Sequence, residues 1–189
     1  MCSIMESMKL VLASQSPRRR ELLATAGFQF TVRARPVEER RGLNESPRDY
    51  VWRLAREKAE ASWEDREEVV LGADTTVVLG DRVLEKPKDA DEAREMLRAL
   101  SGVRHTVMTG ICLRGGGGTI VDYESTHVYF AALSESEIED YVRSGEPMDK
   151  AGAYAIQGLA SKFVERVEGC YFNVMGLPLA LFYRHWKTL

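Results

Sequence analysis

Hydrophobic positions along the chain follow two patterns, one typical of strands and one typical of helices. The run KLVLAS at 9–14 is mostly apolar and predicts a buried strand, while FQFTVRA at 28–34 alternates in character and predicts a half-buried strand. VVLGADTTVVLG at 69–80 predicts a third strand. A tight turn at Gly80 and Asp81 connects it to a fourth, RVLE.

Helices are predicted where a capping residue precedes apolar positions at helical spacing. Ser16-Pro17 and Ser46-Pro47 each place a favoured N-cap before a favoured first helical residue. The first of these helices is expected to end before Gly27, a typical C-terminal glycine. Three more helices are expected. One covers residues 91–100, one follows the capping box formed by Ser134 and Glu137, and one covers residues 177–186.

Four consecutive glycines, residues 115–118, separate the predicted strands HTVMTGICLRG and TIVDYESTHVYFA. A phosphate-binding loop would need Lys-Ser or Lys-Thr after the glycines and then a helix, so we predict a hairpin tip instead. KFVERVEG predicts a last strand. Because strands and helices interleave and two strand pairs form hairpins, we predict a mixed sheet in an α/β or α+β fold.

Composition narrows the function classes. The 189 residues suffice for one domain with a sizeable core, or for two closely fused lobes. A net charge of −3 gives no support to nucleic-acid binding, so any phosphate affinity must come from a local basic cluster. No apolar run reaches the roughly 20 residues of a membrane span, and MCSIMESMKL lacks the features of a signal peptide.

Three scattered cysteines predict no structural disulfide and indicate a reducing, cytoplasmic environment. Because Met8 can equally serve as initiator, we expect residues 1–7 to be a dispensable extension and residues 8–189 to form a single domain. His105, His127 and His185 share no ligand spacing, which leaves a zinc site or a Ser/His/Asp triad with little support.

Three arginines at residues 18–20 open the first predicted helix, where the positive end of the helix dipole disfavours cations. A strand, a short serine-containing turn and a helix N-terminus form a generic anion site. Arg18 and Arg19 would strengthen such a site by binding phosphate oxygens bidentately. Alternatively, they are solvated or pair with nearby carboxylates such as Glu21.

Asp74 follows VVLGA, a segment of small and apolar residues that predicts full burial. A buried carboxylate is costly unless it is paired or binds a metal, so Asp74 is a candidate functional residue. The alternative is an ordinary aspartate at a strand end that caps a loop.

Further charged residues stand beside predicted turns and helix ends. They are Glu38, Glu39, Lys58, Lys86, Asp149 and Lys150. Each alone is typical of a solvated surface position. Together they supply what cleavage of a phosphoanhydride needs, because carboxylates hold a hard cation such as Mg²⁺ and activate water while basic residues neutralise the polyphosphate.

Seven segments in order give the chain a resemblance to a known family. They are LASQSPRRRELL, LAREKA, GADTTVVLG, EKPKD, LSGVRHTVMTG, SGEPMDKAGAYAIQG and NVMGLPL. Together they resemble the Maf family of nucleoside triphosphate pyrophosphatases, also called septum-formation inhibitor proteins. The resemblance runs from residue 9 to residue 181, which is nearly the whole chain.

The resemblance implies an elongated mixed sheet flanked by helices, similar to inosine triphosphate pyrophosphatases, with an active-site cleft between two lobes. It implies that a divalent cation, Mg²⁺ or Mn²⁺, supports hydrolysis of a nucleoside triphosphate to the monophosphate and pyrophosphate. It also implies a homodimer, and roles in excluding non-standard nucleotides from nucleic acids and in cell-division arrest. The net charge and the absence of a long apolar run predict no nucleic-acid and no membrane partner. A nucleotide-binding regulator of septum formation without turnover is the alternative.

The resemblance also implies roles for single residues. Asp74 in GADT matches the proton acceptor and a metal-contacting position, and Glu39 matches the acidic position after the second strand. The family has Asp-Glu there whereas this chain reads VEERR, so a shift of one residue would move that role to Glu38. The polar and basic positions around the phosphates are matched by Ser14, Arg18, Arg19, Lys58 and Lys86.

Three positions distinguish a dTTP/UTP branch of the family from a 7-methyl-GTP branch. Arg18, Thr75 and Gln157 match the dTTP/UTP branch, whereas the other branch tends to carry tryptophan, glutamine and glutamate. If the Gln157 amide reaches the base, it offers an acceptor and donors to the N3–H and carbonyl groups of thymine or uracil. The alternatives are a preference for 7-methyl-GTP and a Gln157 that only braces its loop.

Overall fold

A computed structural model describes residues 8–189 of the chain, and the extension expected at residues 1–7 lies outside them. The chain divides into two compact units. The first contains the residues up to Asp74 together with Thr109–Glu124 and Gly176–Leu189, and the second contains Thr75–Met108 and Ser125–Met175. The single domain and the cleft expected from the sequence stay predictions.

Seven strands and six α-helices form within residues 8–189. The strands are β1 (Lys9–Leu12), β2 (Phe30–Val32), β3 (Glu68–Leu79), β4 (Arg82–Leu84), β5 (Arg104–Gly115), β6 (Gly118–Phe130) and β7 (Val164–Glu168). The helices are α1 (Pro17–Thr25), α2 (Pro47–Ser62), α3 (Ala90–Leu100), α4 (Glu135–Arg143), α5 (Tyr171–Val174) and α6 (Leu179–Trp186). Three 3-10 helices cover Glu146–Asp149, Ala151–Ala153 and Leu159–Phe163.

The strands form one mixed sheet in the order β2-β1-β3-β5-β6-β7, with β4 beside β3. Strand β1 is parallel to both of its neighbours, β2 and β3. In this register Leu12 pairs with Val32 of β2 and with Leu71 of β3. The pairs β3–β4 and β6–β7 are antiparallel. Strands β5 and β6 are neighbours joined through a two-residue turn, which makes the glycine run a hairpin tip. The predicted mixed sheet flanked by helices is confirmed.

In the first unit, helix α2 rests directly on the backbone of β3 and β5. A Cβ atom added at Gly72 of β3 would lie 2.1 Å from the carbonyl oxygen of Ala55. One added at Gly110 of β5 would lie 2.3 Å from the carbonyl oxygen of Val51. Ala55 and Val51 lie one turn apart on α2, so this close contact extends along the helix.

The second unit has its own apolar core. Within it, Phe130 makes edge contacts with His105 and Tyr154 at centroid distances of 5.0 and 4.9 Å. Tyr141 of α4 contacts Phe163 edge-on at 5.5 Å. Helices α3 and α4 complete the core with buried residues that include Leu97, Leu100, Ile138 and Val142.

Side-chain caps mark the starts of three of the six α-helices within residues 8–189, namely α2, α3 and α4. The Ser46 side chain accepts the Asp49 N–H, and Ser134 forms the predicted capping box with Glu137. Helix α1 begins after Ser16 as predicted, but the Ser16 side chain makes no capping hydrogen bond.

Within residues 8–189, no helix is long and apolar enough to cross a lipid bilayer.

The contact at Gly72 can be tested by substitution. We expect Gly72→Ala to lower the free energy of unfolding by about 3 kcal/mol, because the new Cβ would overlap the α2 backbone rather than a flexible side chain. The matched control is Gly117→Ala, since no atom lies within 4 Å of a Cβ at Gly117. Urea unfolding checks both variants, and equal stabilities for the two would contradict the close packing.

Candidate active site

Lys58 joins two carboxylates in the first unit. Its Nζ lies 2.6 Å from Oδ1 of Asp74 and 2.6 Å from Oε1 of Glu39. The side chains of Lys58 and Asp74 are only 13% and 12% exposed, whereas that of Glu39 is 49% exposed. Because both oxygens contact the same nitrogen, the two carboxylates lie close together at the edge of a buried ion pair.

The packing of α2 on β3 creates this ion pair. Side chains alternate along a strand, so Asp74 points to the same face of β3 as Gly72. That face carries α2, whose backbone touches Gly72 at Ala55 and Ala59. Lys58 lies beside Ala59 on the helix and reaches Asp74 from there. Asp74 is therefore a residue within a strand, not the loop-capping aspartate considered as the alternative.

Burial raises the pKa of the Asp74 carboxyl above its ordinary value, and the nearby Glu39 carboxylate acts in the same direction. The charges of Lys58 and Arg19 and the hydrogen bond from Lys58 oppose this shift without cancelling it. Asp74 is thus a more basic carboxylate than an exposed aspartate, held in place by a cation.

Arg19 is buried in the first turn of α1, with only 8% of its surface exposed. Its Nε donates to the carbonyl oxygen of Gly176 at 2.7 Å, and its Nη1 donates to that of Ala73 at 2.8 Å. Burial lowers the pKa of Arg19, and the charge of Asp74 opposes that shift. Arg19 is therefore buried, and the alternative of a solvated side chain is wrong for this residue.

Ser14 lies between β1 and α1 and accepts two hydrogen bonds. Its Oγ receives the N–H of Ser16 at 3.2 Å and Nη1 of Arg19 at 3.1 Å. The hydroxyl hydrogen of Ser14 is therefore available for donation to a further acceptor. The first turn of α1 holds no acidic residue, so no side-chain carboxylate of that turn competes with an anion for the N–H groups of the helix N-terminus.

The structure thus brings together several of the residues selected from the sequence. Those connected by contacts within the first unit are Ser14, Arg19, Glu39, Lys58 and Asp74. Arg18 is half-buried and close enough to lower the pKa of Arg19 by charge repulsion. Of the two loop glutamates, Glu39 is the one paired with Lys58.

The remaining candidates, Thr75, Lys86 and Gln157, belong to the second unit. Thr75 is half-buried, whereas Lys86 and Gln157 are exposed. The segments that carry the two exposed residues are connected, because the N–H of Gly152 donates to the carbonyl oxygen of Glu85 at 3.1 Å.

Sequence reasoning missed the backbone acceptors of Arg19. Backbone carbonyl groups cannot be recognised from residue types. The available signal was that Ala73 lies in the segment GADT and Gly176 in the segment NVMGLPL. The three histidines contact residues outside the candidate site, since His127 contacts Thr106 and His185 contacts Asp122. His105 is bonded to Tyr154 Oη at 2.8 Å, and burial lowers its pKa to about 4.

Comparisons of the sequence and fold with known proteins identify the family of this chain. The family profile described as "Maf-like protein" matches residues 9–189. The chain belongs to the Maf family. A Maf relative from Anaeromyxobacter dehalogenans strain 2CP-1, named dTTP/UTP pyrophosphatase, is 56% identical over 176 residues, which cover 91% of this chain and 89% of that protein.

A second Maf relative, named dTTP/UTP pyrophosphatase and found in Vibrio cholerae, is 55% identical over 173 residues, covering 90% of this chain and 92% of the relative. Among solved structures, the Staphylococcus aureus Ham1 protein matches with a TM-score of 0.52 at 15% sequence identity. The match covers 95% of this chain and 98% of the Ham1 chain. That likeness supports the Maf fold predicted from the sequence.

The basicity of Asp74 can be measured directly in this Maf protein by NMR titration of its carboxyl carbons. Asp74 should titrate above the ordinary aspartate value of 3.8, because burial outweighs its cationic neighbours. Asp49 is the internal control, since hydrogen bonds from Ser46 and Arg48 lower the pKa of its carboxyl. Lys58→Met should raise the pKa of Asp74 further. An Asp74 that titrates together with Asp49 would contradict the proposed environment.

Proposed function

We propose that this Maf protein is a nucleoside triphosphate pyrophosphatase that hydrolyses dTTP and UTP to the monophosphate and pyrophosphate. The names of the two relatives support the substrate and the reaction. The observation that carries the proposal is the buried Asp74 carboxylate, whose pKa is raised by burial while Lys58 holds it in place.

Asp74 is proposed as the proton acceptor for the attacking water. A raised pKa makes a carboxylate a better base, and general-base assistance is most effective when the pKa of the base approaches the working pH. Lys58 favours the ionised form and orients the accepting oxygen. A protein that only binds nucleotides gains nothing from a buried base, and the burial of a carboxylate is costly. This argues against the regulator without turnover.

The triphosphate is proposed to meet a set of cations and neutral donors. Ser14 can donate its hydroxyl hydrogen, and the N-terminal turn of α1 adds the positive end of the helix dipole. The charged groups assigned to the phosphates are Arg18, Arg19, Lys58 and Lys86. Arg19 also fixes the position of Ser14 through its hydrogen bond, so its role combines charge with orientation.

We further propose that Asp74 and Glu39 hold a divalent cation, Mg²⁺ or Mn²⁺. Within residues 8–189, no group of three or more His, Cys, Asp or Glu side chains could hold a metal ion alone. The two carboxylates at one lysine nitrogen nevertheless fit Mg²⁺, which proteins usually bind through one or two carboxylates together with substrate phosphates. When bound, such a cation neutralises phosphate charge and polarises the phosphoryl oxygen.

The base is proposed to be read by Gln157, with Thr75 and Arg18 as further specificity positions. The side chain of Gln157 is exposed, and it makes no hydrogen bond within residues 8–189. Both features leave its amide available to pair with the N3–H and a carbonyl group of thymine or uracil.

The setting in the cell is proposed from fewer observations. The free Cys112 and Cys170 are compatible with the reducing cytoplasm. The family resemblance alone supports three further proposals. These are a homodimer, the exclusion of modified pyrimidine nucleotides from nucleic acids, and a part in cell-division arrest.

A panel of nucleotides tests the reaction. Purified protein is incubated with dTTP, UTP, dCTP, GTP and 7-methyl-GTP in Mg²⁺ or Mn²⁺, and the products are followed by ³¹P NMR. We expect equal amounts of monophosphate and pyrophosphate from dTTP and UTP, and no turnover in excess chelator. A nucleoside diphosphate product would refute the cleavage position. Faster turnover of 7-methyl-GTP would favour the other branch, and tight binding without products would favour the regulator.

The role of Asp74 is tested by Asp74→Asn, which preserves shape and removes the charge. Loss of general-base assistance is expected to reduce kcat for dTTP by about 10²–10⁴-fold. The control is Asp140→Asn, since Asp140 lies on the surface of α4 in an exposed ion pair with Arg143. Steady-state kinetics and circular dichroism check both variants. An Asp74→Asn protein within a few-fold of the parent would rule out this base.

Base recognition is tested by Gln157→Glu, which replaces the amide donor with a charged acceptor. A carboxylate facing a carbonyl oxygen of the base leaves an acceptor unpaired, so kcat/KM for dTTP and UTP should fall at least about tenfold. The loss should be smaller for nucleotides whose base edge is rich in donors. Equal losses for all nucleotides would show that Gln157 serves its loop and not the base.

A further inference from the structure

Gln157 lies on a short turn that other residues hold in place. The N–H of Gly158 donates to the carbonyl oxygen of Ala155 at 3.0 Å, which closes a four-residue turn around Gln157. Gln157 itself makes no hydrogen bond within residues 8–189, so the hydrogen bonds that hold this turn come from other residues. A rotamer-rich side chain on an unsupported turn would have to be ordered when substrate binds, at a cost to affinity.

Both ends of the turn are bonded to one tyrosine and one glutamate. The N–H of Ala155 donates to Oη of Tyr141 at 3.2 Å, and the N–H of Leu159 donates to Oε2 of Glu146 at 3.1 Å. Tyr141 in turn donates its hydroxyl hydrogen to Oε1 of Glu146 at 2.8 Å. A continuous chain of hydrogen bonds therefore spans the turn from one side of Gln157 to the other.

The glycine after Gln157 allows the carboxylate to come this close. A Cβ atom added at Gly158 would lie 2.4 Å from both carboxylate oxygens of Glu146. Tyr141 is anchored in the core, since only 2% of its surface is exposed and its ring packs edge-on against Phe163. The Tyr141–Glu146 pair thus connects the backbone on both sides of the exposed Gln157 to the core of the second unit.

We propose that Tyr141 and Glu146 are positioning residues that hold the Gln157 turn in the conformation in which the Gln157 amide meets the base. The inference rests on the proposed function, because it assigns base reading to Gln157. Hydrogen bonds to a carboxylate are stronger than those between neutral groups, so Glu146 restricts the turn more than a neutral acceptor would. Selectivity for dTTP and UTP then depends on two residues that do not touch the nucleotide.

Tyr141→Phe tests the proposal, because it removes the hydroxyl and keeps the ring that packs on Phe163. The ratio of kcat/KM for dTTP to that for dCTP should fall about fivefold to tenfold, mainly through a higher KM for dTTP. The matched control is Tyr129→Phe in the same unit, which removes a hydrogen bond from a tyrosine hydroxyl to Glu168 of 2.7 Å and should leave the ratio unchanged.

Coupling to Gln157 separates positioning from general damage to the fold. In a Gln157→Ala background, Tyr141→Phe should have no further effect on the dTTP/dCTP ratio, because the group it positions is gone. Glu146→Gln keeps an acceptor and should retain most of the ratio, whereas Glu146→Ala should lose it. An equal loss of the ratio with and without Gln157 would overturn the proposal.

Amide hydrogen exchange gives a readout that needs no substrate. Tyr141→Phe and Glu146→Ala should each speed exchange at Ala155 and Leu159, while Tyr129→Phe should not. Unchanged exchange would overturn the positioning role whatever the substrate. Failure of the parent protein to release pyrophosphate from dTTP or UTP, with faster exchange in the variants, would instead refute the proposed function and leave the turn's restraint established.

Discussion

The buried ion pair between Lys58 and Asp74 depends on the absence of a side chain at Gly72. Because a Cβ there would lie 2.1 Å from the Ala55 carbonyl oxygen, α2 can approach β3 this closely only if residue 72 is glycine. The same approach brings the Lys58 ammonium to within 2.6 Å of Asp74, on the same face of the strand. Removing one partner of such a pair would leave a buried charge uncompensated, which is strongly unfavourable.

The arginines at the start of α1 become understandable beside this carboxylate. Cations at a helix N-terminus are unfavourable, and the burial of Arg19 adds a further cost. Its bonds to Ser14 and to the carbonyl group of Ala73, together with the charge of Asp74, reduce these costs without cancelling them, since the pKa of Arg19 stays lowered. Arg18, Arg19 and Lys58 thus surround the carboxylates of Asp74 and Glu39. This combination suits a polyanionic substrate whose hydrolysis needs a base.

Much of the fold could be predicted because local signals were strong. Serine caps before proline or glutamate mark the starts of α1, α2 and α4, and apolar runs mark β1 and β3. The segment between Glu146 and Phe163 could not be predicted, because its three 3-10 helices depend on tertiary contacts and on left-handed backbone at Gly152 and Ala153. The burial of Asp74 followed from its apolar neighbours. The hydrogen-bond acceptors of Arg19 could not be predicted, because they are backbone carbonyl oxygens and every residue type has one.

The most direct test of the account is the pH dependence of kcat/KM for dTTP in the parent protein and in Lys58→Met. If Asp74 must be ionised to accept a proton, activity falls as the pH drops through its raised pKa. Loss of the Lys58 charge raises that pKa, so the acid limb should move to higher pH in the variant. The substrate ionises identically in both experiments, so only the enzyme can cause such a shift. An acid limb at the same pH in both proteins would contradict the role assigned to the Lys58–Asp74 pair.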